Sequence, residues 1–167
     1  MLHAIFLITM ILISIPLEAK TVISQKTSGA KSMIKAPPDD SNVQDVLKVF
    51  LPILDAFKQK DITKLKKFST VRNREKAIKL NQDPIAFEEK VLKRWRMTFS
   101  NTTMSEVATS DLVVQSNLSH TIYRITRKDG SLPVQFLGQD GLAIEYEACF
   151  MKTAYGWTWV DENTHRF

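Results

Sequence analysis

The sequence predicts an α+β domain in which helices come first and an antiparallel meander second. Three observations carry this. Apolar residues recur at helical spacing between residues 43 and 97. After residue 100, β-branched and aromatic residues rise while strong helix formers decline. The last two strand-like runs are separated by the tight Ala154-Tyr155-Gly156 step, as in a hairpin. That order packs helices on one face of an antiparallel sheet.

The elements follow in turn. Ser41-Asn42-Val43-Gln44 has capping-box spacing, with Ser41 placed to accept from the N–H of Gln44. From there Val43, Val46, Leu47, Phe50, Leu51, Leu54 and Phe57 line one helical side, and Pro52 is expected to bend or divide the helix near Phe50. Asp61 is a good N-cap for a second helix with Ile62, Leu65 and Phe68 inward and Lys64, Lys66 and Lys67 outward. The polar, basic stretch 70–82 reads as irregular or weakly helical. Asp83-Pro84 starts a third helix, running to about Met97 with Phe87, Val91, Leu92 and Trp95 buried. Strands are expected at 103–108, 111–117, 119–127, 132–137, 142–152 and 157–161. In 142–150, Leu142, Ile144, Tyr146, Ala148 and Phe150 share one face, opposite Ala143, Glu145, Glu147 and Cys149.

The chain start carries an address. Residues 4–15 (AIFLITMILISI) form an apolar run closed by Pro16, and small Ala19 stands where a signal peptidase cuts, so residues 1–19 are expected to be a signal peptide. The run is short for a hydrocarbon core roughly 30 Å thick. No stable membrane span is therefore expected after cleavage, and the product is periplasmic or secreted. Residues 20–40 mix Lys, Ser, Thr and Pro and read as a flexible leader, leaving 41–167 as the domain. The net charge of +5 becomes +6 on cleavage, because Glu18 leaves and 23 bases face 17 acids. Residues 20–100 hold 18 Lys/Arg against 9 Asp/Glu, whereas residues 101–167 hold 5 against 8. One cysteine excludes an internal disulfide and a multi-cysteine zinc site.

Ile53-Leu54-Asp55-Ala56-Phe57-Lys58-Gln59-Lys60-Asp61-Ile62-Thr63-Lys64-Leu65 is a helix ending in a short polar step with an aspartate, followed by a second helix start. Gly156-Trp157-Thr158-Trp159-Val160-Asp161-Glu162 is a closing strand with a Gly-Trp pair and then acids. In both respects residues 42–162 resemble the NTF2-like (SnoaL-like) superfamily. The resemblance implies a strongly curved antiparallel sheet around a long helix, a cone-shaped NTF2-like or cystatin-like roll. It implies a function in binding a protein partner or a small ligand, in dimerisation, or in isomerase, dehydratase or hydrolase catalysis. Fold leaves these open.

The chemistry-bearing residues are few. His120 falls in an expected strand with Ile122 and Arg124 on its face, as a structural histidine or a general acid/base. Glu145 and Glu147 lie about 7 Å apart along one strand face. They either face solvent or, in a cavity, divide acid and base roles. Tyr123, Tyr146, Trp157 and Trp159 are plain core or the lining of a pocket for a flat apolar ligand. The basic runs Lys58–Lys79 and Lys90–Arg96, and Lys64, Lys66 and Lys67 in particular, are solvated helix faces or a surface for anionic polysaccharide or lipid headgroups. Stacking aromatics are not interleaved with them, so nucleic acid is not an expected partner. Metal binding at Asp161 and His165 lacks convergent ligands, and there is no phosphate-cradling glycine loop or dinucleotide fingerprint, so no metal or cofactor is expected. Asn101-Thr102-Thr103 and Asn117-Leu118-Ser119 match glycosylation acceptors. The leading expectation is an exported, non-enzymatic binding domain, with a homodimer through the sheet as one use of it. An enzyme built on His120 or Glu145 and a basic anion binder are the alternatives.

Overall fold

The computed structural model describes residues 33–36 and 40–161, so the expected signal peptide and most of the leader lie outside the described residues, as does His165. Three 18-residue helices, α1 (Ser41–Lys58), α2 (Ile62–Lys79) and α3 (Pro84–Asn101), precede most of the strands, which establishes the α+β order. No described helix is long and apolar enough to cross a membrane.

Local chemistry explains each boundary. The cap of α1 is Asp40, not Ser41: its backbone is extended and its carboxylate accepts from Asn42 N at 2.9 Å, as an N-cap side chain does. Pro52 neither divides nor ends α1, contrary to expectation. It lies on the exposed side with Lys48, whose carbonyl is the one left without its helical donor, while Val46, Phe50, Ile53, Leu54 and Phe57 hold the opposite side in the core. Lys60, at φ 56°, turns the chain out of α1. Its Nζ donates to the Phe99 and Thr102 carbonyls at 2.6 and 3.2 Å, closing the end of α3 with a cation. Asp61 and Asp83 cap α2 and α3 through Lys64 N and Ala86 N, as their positions predict. The stretch 70–79 is helical after all. Its buried positions, Leu65, Ser69, Asn73 and Ala77, repeat every four residues, but most are small or polar and carry no apolar signal. The third helix runs one turn beyond Met97.

The strands are β1 (Ile34–Lys35), β2 (Thr102–Met104), β3 (Leu112–Ser116), β4 (Ile122–Arg127), β5 (Val134–Gly138), β6 (Ala143–Tyr146), β7 (Ala148–Thr153) and β8 (Gly156–Val160). They form two antiparallel sheets, β1-β3-β4-β7-β8 and β2-β5-β6. Ile34–Lys35, within the expected leader, adds to the edge of the larger sheet opposite Ser116 and Gln115. The expected strand 142–152 is two. It breaks at Glu147, so that Val134 pairs with Tyr146 in one sheet and Ile125 with Ala148 in the other. Trp159 Nε1 donates to the Glu147 carbonyl at 3.0 Å and satisfies the break. The expected β7–β8 hairpin forms, with Gly156 at φ 107° in its turn. That is a conformation side chains resist.

One core joins these layers. Phe57, at the end of α1, has ring centroids of Trp95, Phe99, Phe136, Tyr146 and Trp159 between 4.9 and 6.4 Å from its own. On the far face of the larger sheet Ile122, Cys149 and Val160 form a smaller cluster, which makes Cys149 a buried thiol as its mid-strand position suggests. At the other end of α1, buried Tyr123 donates from Oη to Asp40 at 2.7 Å and accepts from Asn42 Nδ2 at 3.1 Å, fastening the helix start to β4.

This packing is open to two tests. Phe57→Ala should cost about 3–5 kcal/mol in urea unfolding, and a cost under about 1 kcal/mol would remove Phe57 from its central place. The Asp40–Tyr123 fastening should be pH-dependent in two windows. Burial raises the Asp40 pKa, but hydrogen bonds from Tyr123 and Asn42, with the His120 charge nearby, outweigh it and hold the carboxyl below its ordinary value. Its contribution is therefore complete above the unfolded value of about 4 and is lost as pH falls through the lower folded one. Burial and the bond to Asp40 push Tyr123 up to about 12. That contribution is complete below the unfolded value of about 10 and is lost as pH rises from there toward about 12. Tyr123→Phe should cost about 2 kcal/mol at neutral pH and flatten the alkaline loss in a stability-against-pH series. An unchanged alkaline limb would contradict the assignment.

Candidate functional site

The described residues offer two constellations, and the sequence-predicted residues divide between them. The first lies at the start of α1. His120 sits in a turn before β4 and not in a strand, with φ 52°. Asn117 makes that turn: its Oδ1 accepts from Thr121 N and Ile122 N, and its Nδ2 donates to Ser119 Oγ and Thr121 Oγ1. The Asn117 amide that a glycan would modify is thus already engaged; Asn101 is exposed at the end of α3. His120 Nδ1 lies 3.6 Å from Asp40 Oδ2 and 3.1 Å from Ser116 Oγ. Both neighbours meet the same ring nitrogen, so this is not a nucleophile–base–orienter relay, which needs opposite nitrogens. Tyr123 and Trp157 belong here, edge to face at 5.2 Å, with Lys152 Nζ 5.7 Å from the Trp157 ring centre. Hydrogen bonds and a close aromatic contact account for the cluster as the fastening of α1.

The second constellation is a cavity of about 400 Å³ between α2, α3 and the β6–β7 break. Helix α2 contributes Arg72, Asn73 and Lys76, α3 contributes Arg94 and Trp95, and the break contributes Glu145, Tyr146 and Glu147. Asp161, just beyond β8, closes one wall. It is 2% exposed and takes Lys76 Nζ at 2.6 Å and Arg72 Nη2 at 3.4 Å. The Arg72 guanidinium also lies 5.0 Å over the Trp159 ring, a cation–π contact. Glu145 stands at the exposed rim and accepts from Gln135 Nε2 at 2.7 Å.

Two buried polar atoms of residues that line this cavity, Arg72 Nε and Asn73 Oδ1, have no hydrogen-bond partner among the described residues, while the buried Tyr146 Oη lies close to Thr98 and Trp95. Asn73 is 1% exposed, and its Nδ2 donates to Ser69 Oγ at 3.0 Å, which leaves the oxygen over. Burial raises the pKa of Tyr146, against hydrogen bonding with Thr98 and Trp95 and the nearby charges of Arg94 and Arg72, so its hydroxyl stays neutral. Buried polar groups are normally satisfied, and each exception costs about 1–3 kcal/mol. Arg72 Nε is a donor and Asn73 Oδ1 an acceptor, both shielded in the wall, so a guest meets them only when those side chains turn toward it. Arg72, Lys76 and Arg94 face three carboxylates, Glu145, Glu147 and Asp161, so the lining is formally neutral.

The structure therefore brings Tyr146 and Glu145 to one cavity with Trp159 behind it, and places His120, Tyr123 and Trp157 elsewhere. Lys64, Lys66 and Lys67 lie on exposed faces of α2; Lys64 pairs with Asp61 at 3.5 Å and Lys66 with Glu88 at 3.2 Å. Among the described residues no three His, Cys, Asp or Glu side chains converge to hold a metal ion. Sequence reading missed Arg72 and Asn73, because they fall in the stretch read as irregular. The four-residue recurrence of Leu65, Ser69, Asn73 and Ala77 is the signal that would have placed them on the inner side of a helix. Comparison with models of known protein families, with curated proteins and with solved structures gives no match to this chain.

Proposed function

We propose that the chain is an exported NTF2-like domain that holds a small polar molecule in the cavity beneath α3, and does not turn it over. In this reading the two sheets are halves of one curved roll around α1, divided at Glu147. The observation that carries the binding assignment is that Arg72 and Asn73, whose buried Nε and Oδ1 have no partner among the described residues, line one cavity together with Tyr146. A guest with one donor and one acceptor would satisfy them, and the balanced lining favours a neutral or zwitterionic one. The separation of His120, bonded at the start of α1, from Glu145, at the cavity rim, supports binding over acid/base catalysis, which needs its partners within reach of one substrate.

Binding sites hold polar groups that the empty protein would be better without. Asn73→Leu should therefore raise the stability of the ligand-free protein by about 1 kcal/mol in chemical denaturation, because it deletes a buried unsatisfied amide oxygen while Ser69 Oγ keeps its bond to the Lys66 carbonyl. A loss of stability of that size would mean that the amide oxygen bonds within the protein, and would overturn the assignment.

A further inference from the structure

A larger groove of about 720 Å³ runs along the outer side of α3, between that helix and the β5–β6 hairpin, and shares Arg94 and Ile144 with the inner cavity. Its chemistry is different. One end carries Lys90 and Lys93, beside Arg94, which it shares with the charge-balanced inner cavity. One turn further along α3 stands Met97, 59% exposed, with Leu142 and Ile144 of the hairpin wall 69% and 37% exposed, and beyond Met97 the lining is polar again at Asn101, Thr102, Gln139 and Asp140. Asp140 is the one acid in the lining, and its carboxylate accepts from Leu142 N at 3.1 Å. A chain gains nothing by leaving three large apolar side chains together in water unless something covers them.

The distribution identifies the occupant. Positions 90, 93, 94, 97 and 101 of α3 line the groove. A helix rises about 1.5 Å per residue, so the cationic end and the apolar stretch are separated by about one to two turns. Cations at one end with a short apolar stretch beside them match a head-and-tail molecule. A neutral apolar ligand would leave the three cations unused, and a small inorganic anion would leave Met97, Leu142 and Ile144 uncovered. We propose that this groove binds a single-chain anionic amphiphile, a medium- or long-chain carboxylate, with its head between Lys90, Lys93 and Arg94 and its chain over Met97, Leu142 and Ile144. The proposal stands without the inner cavity, whose lining is formally neutral and whose ligand is small and polar.

The test is isothermal titration of the full chain with laurate below its micelle concentration, alongside decanoate, dodecanol, acetate and vesicles containing phosphatidylglycerol. The expected result is saturable one-to-one binding of laurate. Each methylene removed should weaken it, about fourfold at full burial, with dodecanol markedly weaker and acetate silent. Lys90→Glu combined with Lys93→Glu, and separately Leu142→Ser, should each weaken laurate about tenfold. All three positions are exposed, so the variants keep the fold, which circular dichroism verifies. Four results would overturn the proposal: no saturable laurate binding, affinity independent of chain length, affinity unchanged in both folded variants, or binding to vesicles alone. The last would make the face a membrane-contact surface.

Discussion

The structure depends on the burial of one ring. Phe57 leaves α1 at its last turn and meets α3 through Trp95 and Phe99, the smaller sheet through Phe136 and Tyr146, and the larger sheet through Trp159. Helix and sheets bury apolar faces only against one another, and here most of those faces meet on a single side chain. The ring of Tyr146, a residue of the cavity lining, is held 4.9 Å from that of Phe57. The geometry of the candidate site is thus a consequence of core packing.

Much of this was legible in the residues. Asp61 and Asp83-Pro84 announce two helices because capping is local chemistry. The hairpin at Ala154-Tyr155-Gly156 is equally local. The failures are tertiary. The second half of α2 hides because its inner stripe is Ser69, Asn73 and Ala77, which a search for apolar period passes over. Pro52 is tolerated because its lost hydrogen bond falls on the wet side of α1. The 142–152 run divides because its first half belongs to β5 and its second to β4 and β8, a choice of partners that no alternation pattern encodes. At the site, Tyr146 and Glu145 could be read from their strand. His120 drew attention by its rarity, yet its place is in a turn that a neighbouring asparagine builds.

The two recesses beside α3 illustrate how one helix serves two chemistries. Its inner side gives Trp95 to the core, and its flank gives Arg94 to both recesses. The inner cavity balances its charges and leaves hydrogen-bonding atoms over, as a site for a small polar guest does. The outer groove has uncovered cations and uncovered hydrocarbon. The uneven charge of the sequence, basic in its helical half, goes partly to this groove and partly to lysines paired across helix faces, such as Lys66 with Glu88.

Whether the cavity beneath α3 is a ligand site is the central question. The most direct measurement is a nuclear magnetic resonance titration of the labelled protein against small polar molecules, among them amino acids, sugars and nucleobases. It follows the Asn73 side-chain amide, the Arg72 Nε–H and the Tyr146 ring. A ligand site predicts a saturable ligand whose shifts concentrate on these three residues, with the Arg72 Nε–H slowed in its exchange with water. Shifts confined to the Asp40–His120 cluster, or an Arg72 Nε–H already protected without any ligand, would contradict it.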